Sequence, residues 1–114
     1  MNELPIIQKL YDLIAWYIPH INKMPRDQKF ILGDRLQNSL YDLLEDLIMA
    51  RYDKDRIAIL RRANAKLDIV RFLTRLIRDF ELLNQRRYEF VSEKVQEIGQ
   101  HLGSWIKQQK RTRE

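Results

Sequence analysis

Apolar residues return at steps of three and four in four successive stretches of this chain, with little to interrupt them. The clearest stretch is the last, where Tyr88, Val91, Val95, Ile98, Leu102 and Trp105 advance by 3, 4, 3, 4 and 3 residues. That spacing keeps every member on one side of a helix and scatters them over both faces of a strand; it is a heptad seam. Ile7, Leu10, Ile14, Tyr17 and Ile21 repeat the pattern, as do Leu36, Leu40, Leu43 and Leu47, and then Ala63, Leu67, Val70, Leu73, Ile77 and Phe80. Three glycines and three prolines in 114 residues are too few to punctuate a turn-rich β fold.

The spacing predicts four helices, over about residues 5–22, 25–51, 55–83 and 85–109. Pro19 removes an N–H and crowds the carbonyl of Ala15, which predicts a kink or an early stop in the first helix. Pro25 suits a first turn, where its missing N–H has no partner to lose, and Asp27 places negative charge at the same helix end. Asp53 is positioned to cap the third helix. Short connections at residues 23–24, at 52–54 and at Asn84 make neighbours antiparallel, so the expected fold is all-α: an up-down-up-down four-helix bundle over residues 1–106 with a fraying basic tail over 107–114. Leu13, Trp16, Ile18, Leu60, Ile69, Phe72 and Leu76 fall outside the seams, and this surplus of apolar surface predicts a homo-oligomer.

Charge is divided as unevenly as the apolar residues are regular. Residues 1–52 carry six Lys/Arg against seven Asp/Glu, whereas residues 53–114 carry fifteen against nine, so the whole +5 belongs to the second half. Within residues 56–78, Arg56, Arg61, Arg62, Lys66, Arg71, Arg75 and Arg78 face a single acid, Asp68. At 100° per residue Arg71, Arg75 and Arg78 gather away from the apolar side with Arg61 and Lys54 beside them, while Lys66 falls near it and runs its stem along the core. Such a stripe favours polyanions, phosphate backbones first. The candidate nucleic-acid or partner surface is Arg61, Arg62, Arg71, Arg75, Arg78, Arg86 and Arg87 with Lys107, Lys110, Arg111 and Arg113 of the tail.

Catalytic patterns are missing. There is no cysteine, which excludes disulfides and thiolate sites. A bundle di-metal centre needs Glu three residues before His, yet Tyr17 precedes His20 and Ile98 precedes His101. Glu97 and His101 share a face, but two ligands complete no site, and a hydrogen-bonded surface pair is expected. His20 reads as a helix-end residue bonding a terminal carbonyl. Asp42, Glu45 and Asp46 make an acidic patch read as solvated, or else paired with the basic helix of a neighbouring subunit. Gly33 within the second helix costs about 1 kcal/mol relative to Ala and implies a close approach there. Gly99 and Gly103 fit either close packing or local fraying. Trp105 continues its seam into the core, and Trp16, off its seam, suits a subunit interface. No apolar run reaches the roughly 18 residues of a membrane span, and no secretory signal is visible, so the expectation is a cytoplasmic, non-enzymatic protein with no metal, cofactor, small-molecule substrate or membrane partner.

The run Pro25-Arg26-Asp27-Gln28-Lys29-Phe30-Ile31-Leu32-Gly33-Asp34-Arg35-Leu36, preceded by Tyr11-Asp12-Leu13-Ile14-Ala15-Trp16-Tyr17-Ile18-Pro19, resembles the Avd family, the accessory variability proteins of diversity-generating retroelements. Pro25, Lys29, Phe30, Leu32, Gly33 and Arg35 carry the motif, with Lys29 departing from the family's usual Arg and so lacking its planar bidentate fork. Proteins encoded in 23S rRNA intervening sequences share a looser version, and the Trp-Tyr-x-Pro and Leu-Gly-Asp-Arg elements favour Avd. The resemblance implies a homopentamer of four-helix protomers, with no active site, that binds the element's reverse transcriptase together with RNA or DNA and supports mutagenic cDNA synthesis. Five copies of a +5 chain carry +25 formally. The alternatives are an RNA-binding bundle of the intervening-sequence type, or a protein-only scaffold whose basic face meets an acidic partner.

Overall fold

The computed structural model describes the backbone of residues 3–113 and the side chains of residues 5–112. The elements are α1 (Glu3–Asn22), α2 (Arg26–Gln28), a π-helical turn (Lys29–Gly33), α3 (Asp34–Tyr52), α4 (Arg56–Asp79) and α5 (Gln85–Arg113). Because α2, the π turn and α3 follow without a break, the described residues form four rods and no strand. The fold is an all-α four-helix bundle, 48 × 23 × 19 Å. Its length is set by the 29 residues of α5, about 43 Å at 1.5 Å per residue. α1 packs on α3 and α5, and α4 packs on the same two, which sets α1 and α4 across the diagonal. Lys9 meets Glu97 while Trp16 meets Phe90, and Ile57 lies beside Thr112 while Arg78 lies over Tyr88, so α5 runs antiparallel to both of its neighbours.

The seams of the last three rods bury most of the residues their spacing predicts, Leu36, Leu40, Leu43 and Leu47, then Ala63, Leu67, Val70 and Ile77, then Val91, Val95, Ile98, Leu102 and Trp105, whereas Leu73 and Tyr88 are half-buried and Phe80 is exposed. In α1 the seam is Ile6, Leu10, Leu13, Tyr17 and Ile21, with Ile7 and Ile14 only half-buried. Two adjacent apolar pairs, Ile6-Ile7 and Leu13-Ile14, satisfy the same period, and the neighbouring rods select one register. Leu60 is likewise core and not surplus. Pro19 sits inside α1, which continues to Asn22.

The ends differ from expectation where the chain turns. α4 stops at Asp79, and Phe80 is 55 % exposed. Glu81 adopts φ 60°, the Leu82 N–H donates to the Ile77 carbonyl (2.9 Å) and the Glu81 N–H to that of Arg78 (2.8 Å). This is the closing pattern usually given to glycine. Asp53 ends α3 through its own N–H, and its carboxylate accepts the Asp55 N–H at 2.9 Å, so Asp55 and not Asp53 occupies the cap position of α4. α5 is helical to Arg113, so the basic tail from Lys107 continues the rod.

The π turn is where the motif residues gather. Leu32 and Gly33 point inward, and a Cβ on Gly33 would lie 2.9 Å from Cγ2 of Ile21. Phe30 and Ile31 face solvent, with the Arg26 guanidinium 5.8 Å from the Phe30 ring. The motif thus has an inward half that seats α1 and an outward half that is free of the core.

Candidate nucleic-acid interface

The basic residues divide by the side of α4 they leave. Arg62 and Lys66 lean toward α3, where both bond the Asp46 carboxylate, Arg62 at 3.0 Å and Lys66 at 2.7 Å. Asp46 is only 6 % exposed. Burial pushes its carboxyl up, but the hydrogen bonds and charges of Arg62 and Lys66 outweigh that and hold it below the usual carboxylate range; the Arg62 guanidinium is correspondingly raised. The acidic patch is therefore not uniform: Asp42 and Glu45 are exposed, whereas Asp46 is an internal counter-ion. The signal was present, since Asp46 stands three residues after Leu43, on the edge of the buried stripe.

The other flank of α4 faces α5. Arg71 bonds Asp68 and reaches over Gly99, where a Cβ would lie 2.5 Å from its terminal nitrogen. Arg78 bonds Asp79 at 2.9 Å and lies 4.3 Å above the Tyr88 ring. Gly99 thus marks close packing, while Gly103 has nothing within 4 Å of the position a Cβ would take. Arg61, Arg75, Arg86, Arg87, Lys107, Lys110 and Arg111 are exposed and make no ion pair among the described residues. Because α4 and α5 are antiparallel, these cations are spread along the length of both rods: Arg86 and Arg87 at the Arg78 end, where they flank Trp16 and His20 of α1, and Arg61, Lys107, Lys110 and Arg111 toward the other. Arg113 closes α5, and its side chain lies outside the described residues.

Other expectations resolve differently. Glu97 pairs with Lys9 (3.3 Å) and Lys94 (3.8 Å), not with His101. His20 donates Nδ1–H to the Trp16 carbonyl at 2.7 Å, as a helix-end histidine should, and stacks on the Trp16 ring, which also meets Phe90. Trp16 is thus half-buried inside its own chain, beside Arg86 and Arg87 in an open depression of about 360 Å³. Among the described residues, no helix is long and apolar enough to cross a membrane. Sequence reasoning missed the groove between α4 and α5, because Ser92 and Gln96, which form part of its wall, carry no periodic signal of their own.

The described residues form a four-helix bundle with seven exposed cations that make no ion pair among them, and no group of three or more His, Cys, Asp or Glu among them could hold a metal ion. The chain belongs to the bAvd-like family, which it matches over residues 4–109. Its fold is also similar to the crystal structure of a protein of unknown function from the S23 ribosomal protein family of Bacteroides thetaiotaomicron VPI-5482, with a TM-score of 0.85 at 19 % identity, covering 94 % of this chain and 99 % of that one. No curated protein matches the chain.

Proposed function

We propose that this protein is a non-enzymatic accessory factor of a diversity-generating retroelement, acting in the cytoplasm as a ring-shaped homo-oligomer, a pentamer. It binds the element's reverse transcriptase and, through the α4–α5 side, template RNA or cDNA. Family membership supports the setting. The observation that carries the nucleic-acid reading is the set of seven exposed cations on α4 and α5 that make no ion pair among the described residues, Arg61, Arg75, Arg86, Arg87, Lys107, Lys110 and Arg111. Arg62, Arg71 and Arg78 add partly neutralised charge to the same rods. Phosphate contacts of this kind position a strand without reading its sequence.

Two apolar surfaces support assembly. One lies on α4 and the residue that follows it, where Ile69, Leu76 and Phe80 are 49 %, 42 % and 55 % exposed; the other lies on α1 and α3, where Tyr11, Tyr41 and Ile48 are 61 %, 39 % and 40 % exposed. Because α1 and α4 are diagonal, the two surfaces face different directions, as a head-to-tail ring requires.

Binding to RNA and DNA of unrelated sequence, measured over a salt series, is the test. Log affinity should fall linearly with log salt concentration, with a slope near −0.7 per phosphate contact for single strands. Charge reversal at Arg61 and Arg75 should flatten that slope by about 1 to 2. A protein that ignores nucleic acid at low salt, while still capturing its reverse transcriptase on co-expression, would leave a protein-only scaffold.

A further inference from the structure

Between α4 and α5 lies a groove of about 350 Å³, within the size range of small-ligand sites. Its floor is Val91, Val95 and Thr74. The Thr74 hydroxyl is engaged by the Tyr17 hydroxyl at 2.9 Å, so the floor offers a guest only apolar surface. Along the α4 wall stand Phe72, 65 % exposed, and Arg75, which has no acidic partner among the described residues. Tyr88 forms part of the α5 wall, its ring held by the Arg78 guanidinium 4.3 Å away. An apolar slot with aromatic walls and a guanidinium at its lip suits a flat ring that carries an anion beside it.

We propose that this groove seats an unstacked base of a single-stranded nucleic acid, with one flanking phosphate on Arg75 and the other on Arg71, which exchanges its ion pair with Asp68 for that contact. The inference rests on the nucleic-acid reading above and specifies which form of nucleic acid the surface prefers. Four residues of helix separate the two arginines by about 6 Å along the axis, so the pair can meet the phosphates on either side of one nucleotide. The cations serve single strand and duplex alike, and the preference for a single strand comes from the slot, which only an unpaired base can enter. A duplex keeps its bases paired, so it reaches the cations and not the slot. The repeat of cations along the rod favours a polyanion over an acidic protein, which would need complementary carboxylates at no fixed interval.

Titration of the full-length protein with a 2-aminopurine-labelled oligo(dT) strand, and with a duplex of equal length, tests the proposal. The single strand should bind tighter at equal salt, with 2-aminopurine emission changing on burial. Filling the slot with Ser92→Phe should weaken single-strand binding by about 5- to 150-fold, the span expected for one stacked base, and leave the duplex within about twofold. Phe72→Leu, at an exposed position, should act in the same direction and guards against misfolding of the first variant. Equal effects on strand and duplex, or none on either, would overturn the groove and leave the charged face standing. Failure of both to bind at low salt would overturn both readings. Binding of poly-L-glutamate that depends on the groove, while oligonucleotide binding does not, would assign the site to an acidic protein, and loss of the oligomer in Ser92→Phe would assign it to a second copy; each overturns the proposal.

Discussion

Gly33 and Gly103 are the same residue on two helices, with opposite expected effects when replaced. A Cβ at Gly33 meets the fully buried side chain of Ile21 at 2.9 Å, where no flexible end can yield, whereas at Gly103 it meets nothing within 4 Å. Gly33→Ala should therefore lose about 1–2 kcal/mol in urea unfolding, the overpacking cost exceeding the gain in helix propensity. Gly103→Ala should gain about 0.5–1 kcal/mol. Equal effects would mean that the π turn does not need its glycine. Tyr17 is a second residue whose behaviour the fold dictates. Burial pushes its phenol up to about 12, while the hydrogen bond from Thr74 opposes that shift. With the folded value above the unfolded one of about 10, the stabilisation is complete below pH 10 and is lost as pH rises toward 12. Two units correspond to about 2–3 kcal/mol. Tyr17→Phe should cost about 1 kcal/mol at neutral pH by stranding the Thr74 hydroxyl, and should remove most of the alkaline loss between pH 10 and 12. A variant that loses stability there as steeply as the parent would show that Tyr17 does not titrate.

At the scale of the element, α3 and α4 are joined by charge as well as by leucines. Asp46 accepts from both Arg62 and Lys66, and Arg62 keeps its side chain 58 % exposed while Lys66 is 26 % exposed. The partly solvated geometry limits the contribution, and Asp46→Asn should cost about 1–3 kcal/mol near neutral pH. The folded carboxyl lies below its ordinary value. The advantage of aspartate over asparagine is thus fully present above about pH 4 and vanishes as pH falls through the lower folded value. Parallel denaturation curves for the two proteins at pH 7 and pH 2 would check this, and a constant gap would refute it. The pairing also explains why the basic stripe overstates the free charge of α4. Four-residue periodicity identifies which arginines leave the core, but an acid on the next rod, such as Asp46, or on the same one, such as Asp68 and Asp79, decides which of them remain available.

For the whole molecule, the exposed apolar surfaces are where the proposed assembly would bury area. The proposed pentamer predicts a solution mass near five chains, and Ile69→Lys with Phe80→Lys should lower it without unfolding the bundle, since both side chains lie outside the core. Light scattering that returns a single chain for the parent protein would sink the ring. The same scale separates what periodicity specifies from what packing adds. Steps of three and four over α3, α4 and α5 determined that the chain is helical, how many rods it makes and which leucines meet, because helix geometry alone places such residues on one side. In α1 the sequence offered two seams, Ile6-Leu13 and Ile7-Ile14, and the choice between them needed the rods that cover one pair and leave the other half open. Phe80 read as core, yet α4 closes one residue earlier through a left-handed Glu81, and a turn re-aims the ring into solvent. The charge split between the two halves was fixed by composition along the chain. Which cations stay unpaired, and the slot between Phe72 and Tyr88, come from side chains on different rods meeting at one level. That depends on how far each helix runs before it turns, which no local pattern encodes.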